Sequence, residues 1–144
     1  MSVVVVGGGI AAQAVAERLV ERAPGRPVTM LSAEARAPYD RVRLSSLLAE
    51  GGDPEALRLR PDAWYADRGV DLRLATPVAA IDPAGRRVET SAGEWIPYEA
   101  LVLCTGSRAA VPPIPGIERP GSFVFRTPED CDGIATAAAG ARRA

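Results

Sequence analysis

"VVVVGGGIAA" (residues 3–12) sets four β-branched residues directly against three adjacent glycines. Valines without polar alternation are the pattern of a strand buried on both faces. Beyond the glycines, Ile10, Ala14, Val15, Ala16, Leu19 and Val20 recur at helical spacing, and Pro24 with Gly25 ends the helix. "PVTML" (27–31) is the next buried strand. Strand, helix and strand in this short span predict a right-handed β-α-β crossover and a parallel sheet. The glycines fit G-x-G-x-x-G/A in one register, Gly7, Gly9 and Ala12, with Gly8, Ile10 and Ala11 between them. Gly7 permits a tight turn out of the strand. Gly9 lets the backbone approach a pyrophosphate without a Cβ in the way, and Ala12 keeps the helix close to the sheet. The helix start then offers unpaired N–H groups and the positive end of its dipole to phosphate. A purely structural bend between core elements is the alternative reading of the same residues.

A dinucleotide fingerprint also places an acidic residue about 20 positions onward, at the end of the second strand, against ribose hydroxyls. Glu34 stands there and Ser32 precedes it, directly after Leu31, so both are candidates for the ribose. A solvated loop carboxylate is the alternative for Glu34. No arginine stands right at that strand end, which disfavours a 2′-phosphate. From these residues alone, NAD and FAD both stay open.

Composition narrows the class. At 144 residues, 47% hydrophobic and 24% charged, the chain suits one globular, soluble domain with a real core. Its net charge is −1, and its 17 basic residues are scattered, without the basic face of a nucleic-acid binder. All of them are arginine; lysine, histidine and asparagine are absent from the sequence. Imidazole acid–base chemistry, imidazole metal ligation and a Ser-His-Asp triad are therefore excluded within this chain. Cys104 and Cys131 form no CxxC or CxxxxC pair, which argues against zinc and against a disulfide framework. Neither a metal site nor a catalytic side chain is expected. The valine run lacks the cationic lead of a signal peptide, and no stretch approaches the roughly 18 apolar residues of a membrane span. The expectation is a cytoplasmic protein with no membrane and no nucleic-acid partner.

Further along, a short helix is expected around Val42–Ala49, a loop over "GGDPEALRLR" (51–60), and another short helix over "PDAWYADRG" (61–69). Trp64 and Tyr65 are read as packing that helix. "VDLRLAT" (70–76) is a third strand. "VAAID" (78–82), "RRVET" (86–90) and "EWIPY" (94–98), separated by "PAG" and "SAG" turns, read as a three-stranded antiparallel meander. "ALVLCTG" (100–106) returns as a buried strand, with Cys104 as a small buried residue. "VPPIPGIERPG" (111–121) is a stiff connector and "FVF" (123–125) a brief strand. A final helix carries Thr127 as N-cap, Pro128 at its first position, and an unpartnered, inert Cys131.

This order of elements resembles the FAD domain of the pyridine-nucleotide-dependent flavoprotein oxidoreductases, the glutathione-reductase-like family. The matching stretches are "VVVVGGGIAAQAVAERL", "APYDRVRLSS", "PVAAID", "YEALVLCTGS", "PPIPGI" and "SFVFRTPED", in the family's order over nearly the whole chain. The resemblance implies an α/β fold: a three-layer, FAD/NAD(P)-binding Rossmann-like domain with a parallel sheet and an antiparallel β-meander. It implies FAD as cofactor and NAD(P)H as electron donor. Gly7, Gly8, Gly9, Ile10, Ala11 and Ala12 would hold the pyrophosphate, with Ser32 or Glu34 near the adenosine ribose. Arg41 matches a flavin-contacting arginine, for which a solvated surface charge is the alternative, and Val78 matches a position whose backbone meets the adenine. Thr105 and Gly106 lie where the chain bends over the cofactor.

Departures narrow the family. Its disulfide reductases carry CxxxxC around residues 42–50, where this chain has Ser45 and Ser46, so a thiol relay is excluded. "RVRLSS" lacks the lysine of the ferredoxin-reductase-like branch, and "PYDRVRLSS" looks most like the flavin domain of assimilatory NAD(P)H nitrite reductase large subunits. The expected organisation is an FAD-binding part over 1–115, then a connector and helix over 116–144 leading toward an NAD(P)-binding domain. That domain and a last FAD-contacting strand are missing from the sequence, so the FAD domain is expected to be incomplete and to hold flavin weakly. The expected partners are FAD and the remainder of the flavoenzyme, its NAD(P)-binding and acceptor domains. A flavin-binding module without turnover and an NAD-binding Rossmann domain are the alternative functions.

Overall fold

The computed structural model describes residues 2–141, which divide into two compact units. Among these residues, the first comprises 2–39 and 58–106, and the second 40–57 and 107–141.

Four short parallel strands organise the first unit: β1 (Val3–Val6), β2 (Val28–Leu31), β3 (Val70–Arg73) and β7 (Ala100–Leu103). They lie in the order β3-β2-β1-β7, and Val6 is level with Leu31 on one side and Leu103 on the other. The valines of β1 show why the run lacks alternation. Val3 and Val5 face one core, with Val28, Met30, Val70, Tyr65 and the two helical alanines Ala12 and Ala16. Val4 and Val6 face another, with Leu31, Val88 and Ile96. Successive side chains of a strand leave opposite faces, so a central strand between two cores needs an apolar residue at every position.

Helix α1 (Ile10–Arg22) covers the first face and α3 (Asp62–Asp67) adds Tyr65 to it. The second face is covered by an antiparallel meander of β4 (Val78–Asp82), β5 (Arg87–Thr90) and β6 (Trp95–Pro97), in that order. Helices, parallel sheet and meander form three layers, as the sequence predicts. The β4–β5 turn is closed by Asp82, which accepts from the Gly85 amide at 2.8 Å and from Arg87 Nε at 3.0 Å. These two donors, the Gly85 amide first, hold the Asp82 carboxyl below its ordinary range. Arg87 also lies over the Trp95 ring, 4.3 Å from its centroid, across the β5–β6 pair.

Four local expectations are corrected. β3 ends at Arg73 rather than running to Thr76, because Ala75 adopts φ +48°. That turn aims the Ala75 and Thr76 amides at the carbonyls of Glu34 and Ser32, at 2.9 and 2.7 Å. Among the described residues β7 lies at the sheet edge, hydrogen-bonded to β1 alone, and Leu103 is 56% exposed; apolar composition alone does not distinguish an edge strand from a central one. "FVF" forms no strand. Phe123, Val124 and Phe125 are exposed, and three residues without a ladder partner cannot hold an extended pairing. Finally, Pro54–Leu57 in the expected loop coils into a 3₁₀ turn, whose start is closed by Asp53 accepting from the Glu55 amide.

The second unit contains a 3₁₀ turn (Arg41–Arg43), α2 (Leu44–Glu50), the 3₁₀ turn just named, and α4 (Pro128–Ala139). Asp40 caps the first turn through the Val42 amide, and α4 begins with the expected cap. Thr127 Oγ1 accepts from the Asp130 amide, while Asp130 accepts in return from the Thr127 amide, a reciprocal capping box with Pro128 just inside it. Buried Cys131 packs α4 onto α2, its thiol donating to the Leu44 carbonyl at 3.7 Å. Burial, with Asp132 and Asp130 nearby, pushes that thiol's pKa up, so it stays protonated and unreactive. No helix among the described residues is long and apolar enough to cross a membrane.

One polar chain runs inside the first unit. Tyr65 Oη donates to Gln13 Oε1 at 2.6 Å, Gln13 Nε2 to Glu17 at 3.0 Å, and Arg60 Nε to the same carboxylate at 2.9 Å. Tyr65 is 3% exposed, and burial pushes its hydroxyl from 10.0 up to about 12. The folded state therefore holds this proton more tightly than the unfolded chain. Its contribution is complete below pH 10 and is lost as the pH rises toward 12. The shift corresponds to about 2–3 kcal/mol. Urea unfolding at pH 8 to 12 is expected to show this loss in the native chain and to lack it in Tyr65→Phe. A second expectation concerns Ala75. Replacing it with glycine relieves the left-handed strain and should raise stability by about 0.5–1 kcal/mol after the entropic cost of glycine. A lower urea midpoint for Ala75→Gly would contradict this.

Candidate functional site

Parallel sheets bind ligands beyond the carboxyl ends of their strands, because there the chain leaves the ladder and turns into loops or helices. Here three such ends stand side by side. The Gly7 amide donates to the Leu31 carbonyl at 2.9 Å, and the Cys104 amide to the Val6 carbonyl at 2.7 Å. Gly7, Ser32 and Cys104 are thus the first residues out of β1, β2 and β7, and all three sit at one level.

The two leading glycines are demanded by this convergence. A Cβ on Gly7 would lie less than 3.0 Å from the carbonyl oxygen and carbon of Cys104, and Gly7 has φ +139°. A Cβ on Gly8 would fall equally close to Oγ and Cβ of Ser32. Gly9 differs: its Cβ position is open, with nothing within 4 Å, and its φ of −101° is available to any residue. Protein packing compels Gly7 and Gly8. It does not compel Gly9.

Gly9 is the N-cap of α1, so the amides of Ile10, Ala11 and Ala12 have no carbonyl a turn before them. No side chain caps this end, and no acidic residue stands in the first turn. Ile10 and Ala11 are exposed, while Ala12 is fully buried against the sheet, as its place in the fingerprint predicts. From Gly7 to Ala12 no side chain can take or give a proton. The turn presents unpaired amides and carries no reactive side chain.

Beyond β2, Ser32 and Glu34 have separate jobs. Ser32 is 1% exposed, and its hydroxyl closes a tight loop, accepting from the Glu34 amide and donating to the Glu34 carbonyl, both at 3.2 Å. Glu34 is half-buried, and its Oε2 accepts from Tyr39 Oη at 2.9 Å. Thr105 and Gly106 follow β7 and are exposed, with Gly106 at φ +69°. Val78 opens β4, opposite Thr90, where the ladder register shifts. Arg41 belongs to the second unit, where its guanidinium donates to the Arg126 carbonyl at 2.7 Å. Ser45 and Ser46 occupy exposed positions on α2, where a dithiol would have to stand for thiol chemistry. Cys104 and Cys131 are both free thiols. No cluster of three or more possible metal ligands occurs among the described residues.

Three features escape inspection of the sequence. The space conflict between Gly8 and Ser32 depends on the inter-strand register. The Tyr39–Glu34 bond joins residues five apart in an irregular loop, where no periodicity links them. Gln13 lies on a helix face otherwise read as apolar, and only its buried phenolic partner explains it.

Residues 1–144 match the family model described as pyridine nucleotide-disulphide oxidoreductase. The chain is 39% identical over 142 residues to the nitrite reductase [NAD(P)H] large subunit of Klebsiella oxytoca, covering 97% of this chain and 15% of that protein. It is 44% identical over 107 residues to the ferredoxin–NAD(+) reductase component of the anthranilate 1,2-dioxygenase system of Burkholderia cepacia, covering 73% and 26%. A ferredoxin reductase from Rhodopseudomonas palustris shares the fold with a TM-score of 0.88 at 29% identity, over 94% of this chain and 33% of that one. The chain thus spans between a seventh and a third of the length of these relatives. With its β-α-β turn, its meander and a family match over residues 1–144, the chain belongs to the pyridine nucleotide-disulphide oxidoreductase family.

Proposed function

We propose that this chain is the FAD-binding portion of an NAD(P)H-dependent flavoprotein oxidoreductase, which passes electrons from NAD(P)H through FAD to an acceptor. Gly9 is the observation that carries the proposal. It is a glycine that neither packing nor backbone conformation requires, at a helix start with no side-chain cap and no acidic residue in its first turn. A pyrophosphate supplies the missing reason, since it needs the bare backbone and the unpaired amides together. When bound, FAD supplies hydride acceptance and electron release, and the protein contributes position and electrostatics.

In this reading Gly7 and Gly8 let the strand ends close up, while Gly9 and the amides of Ile10, Ala11 and Ala12 face the pyrophosphate. Glu34 faces the adenosine ribose, with Ser32 holding its main chain. Val78 offers backbone to the adenine, Thr105 and Gly106 border the cofactor, and Arg41 serves the flavin end. Residues 1–115 form the FAD-binding part, and 116–144 the connector and helix. The remaining partners are the NAD(P)-binding and acceptor portions of the enzyme, and nitrite is the proposed acceptor, supported by the Klebsiella relative. Neither nucleic acid nor membrane is included among the partners, and the proposed compartment is the cytoplasm. The scattered arginines and the two free thiols support this.

Gly9→Ser separates folding from binding. Serine is a good N-cap at this extended backbone, so the unliganded variant is expected to gain up to about 0.5 kcal/mol in urea unfolding. Its side chain also fills the cradle, and FAD affinity, measured by quenching of flavin fluorescence, is expected to fall at least about tenfold. Gly7→Ala, which collides with Cys104, is expected instead to destabilise the fold by about 2 kcal/mol or more. Native chain that binds NADH but not FAD would replace this reading with that of an NAD-binding Rossmann domain.

A further inference from the structure

We infer that Tyr39 is a positioning residue for the bound dinucleotide, its phenol holding the Glu34 carboxylate in the orientation that meets the adenosine ribose. The inference rests on the reading of Glu34 as the ribose contact.

Glu34 is fixed at both ends. Its main chain is held by Ser32 Oγ on its amide and carbonyl, and by the Ala75 amide on the same carbonyl at 2.9 Å. That leaves the flexible side chain, whose rotamer freedom a ligand would otherwise have to remove on binding. Tyr39 Oη removes it beforehand by donating to Oε2 at 2.9 Å. The phenol is itself immobile. Tyr39 is 4% exposed, its backbone pairs in an antiparallel bridge with Arg58, and the neighbouring Pro38 carbonyl accepts from the Leu59 amide at 2.9 Å. The stretch 34–39 is thus a closed loop, pinned by Ser32 at one end and by Leu59 at the other.

The chemical type of this partner matters. A tyrosine hydroxyl is neutral at physiological pH and donates a single hydrogen bond. It orients the carboxylate without adding a positive charge of its own, as an arginine would. A charged acceptor makes stronger hydrogen bonds to hydroxyl groups than a neutral one. The same charge opposes a phosphate on the ribose 2′ oxygen. The effect of Tyr39 is therefore confined to ligands that carry ribose hydroxyls.

This confinement supplies the test. Binding of ADP and of 2′,3′-dideoxy-ADP to the 144-residue chain is measured by calorimetry, for the native protein and for Tyr39→Phe. The native chain is expected to prefer ADP by about tenfold, the worth of hydrogen bonds to a charged acceptor. In Tyr39→Phe, ADP should weaken by roughly three- to tenfold while dideoxy-ADP stays within about twofold. Adding Tyr39→Phe to Glu34→Ala should cost nothing more, because the two changes remove one interaction. Tyr39→Met, which fills the buried space without a donor, is the second variant and should follow the same pattern. Equal weakening of both nucleotides would overturn the inference, as the mark of a merely structural tyrosine, and so would no change in either. A folded native chain that binds ADP no better than dideoxy-ADP would overturn Glu34 as the ribose contact, and the role of Tyr39 with it. Failure of the folded chain to bind either nucleotide would overturn the dinucleotide reading itself.

Discussion

The close approach of three strand ends at Gly7 and Gly8 is the constraint on which the rest of the first unit depends. Parallel strands sit less than 5 Å apart in the hydrogen-bonding direction, about one side chain's reach. With Val6 level with both Leu31 and Leu103, the next residue of β1 emerges between two neighbouring backbones and has room for hydrogen only. The sheet thereby determines the shape of the turn before any ligand arrives. Once Gly7 and Gly8 are fixed, α1 must start at Ile10, with its first amides facing out beyond the strands. This open turn is a by-product of packing a central strand tightly, and no side chain at Gly9 fills it.

Much of this was legible in the sequence because it rests on local chemistry. A run of β-branched residues, glycines in one register and an alanine where the helix meets the sheet all express contacts within a single β-α-β unit. The meander was legible through its turn residues, and the start of α4 through Thr127, Pro128 and Asp130, whose roles are fixed by neighbours a few residues away. What was not legible depends on long-range partners. β7 reads as a buried strand because its residues are apolar, yet it lies at the edge of the sheet. "FVF" has the composition of a strand and no ladder to join. The different hydrogen bonding of Ser32, which anchors the main chain, and of Glu34, whose half-buried carboxylate meets Tyr39, depends on a loop that the sequence alone does not shape.

The family's name joins pyridine nucleotides to disulfide chemistry, and the second half does not suit these residues. Ser45 and Ser46 lie where a dithiol would be needed, and Cys131 is kept protonated by burial and neighbouring carboxylates. The chain holds no imidazole, and no side chain of the glycine turn can take or give a proton. Under the proposed function the labour divides accordingly: rigid backbone would serve the phosphates, one oriented carboxylate the sugar, and the bound cofactor would supply the reactivity.

The position of β7 has a consequence in time as well as in space. β1 and β2 meet across one helix, whereas Val3 finds Ala100 only after β2, β3, three helices and the whole meander have been threaded between them. Closing so long a loop carries a large entropic cost and slows folding. The β-α-β turn can therefore form early from local contacts, but its glycines meet Cys104 only when β7 docks. Nascent chain emerging from the ribosome would hold the glycine turn long before it held the crevice formed by the ends of β1, β2 and β7.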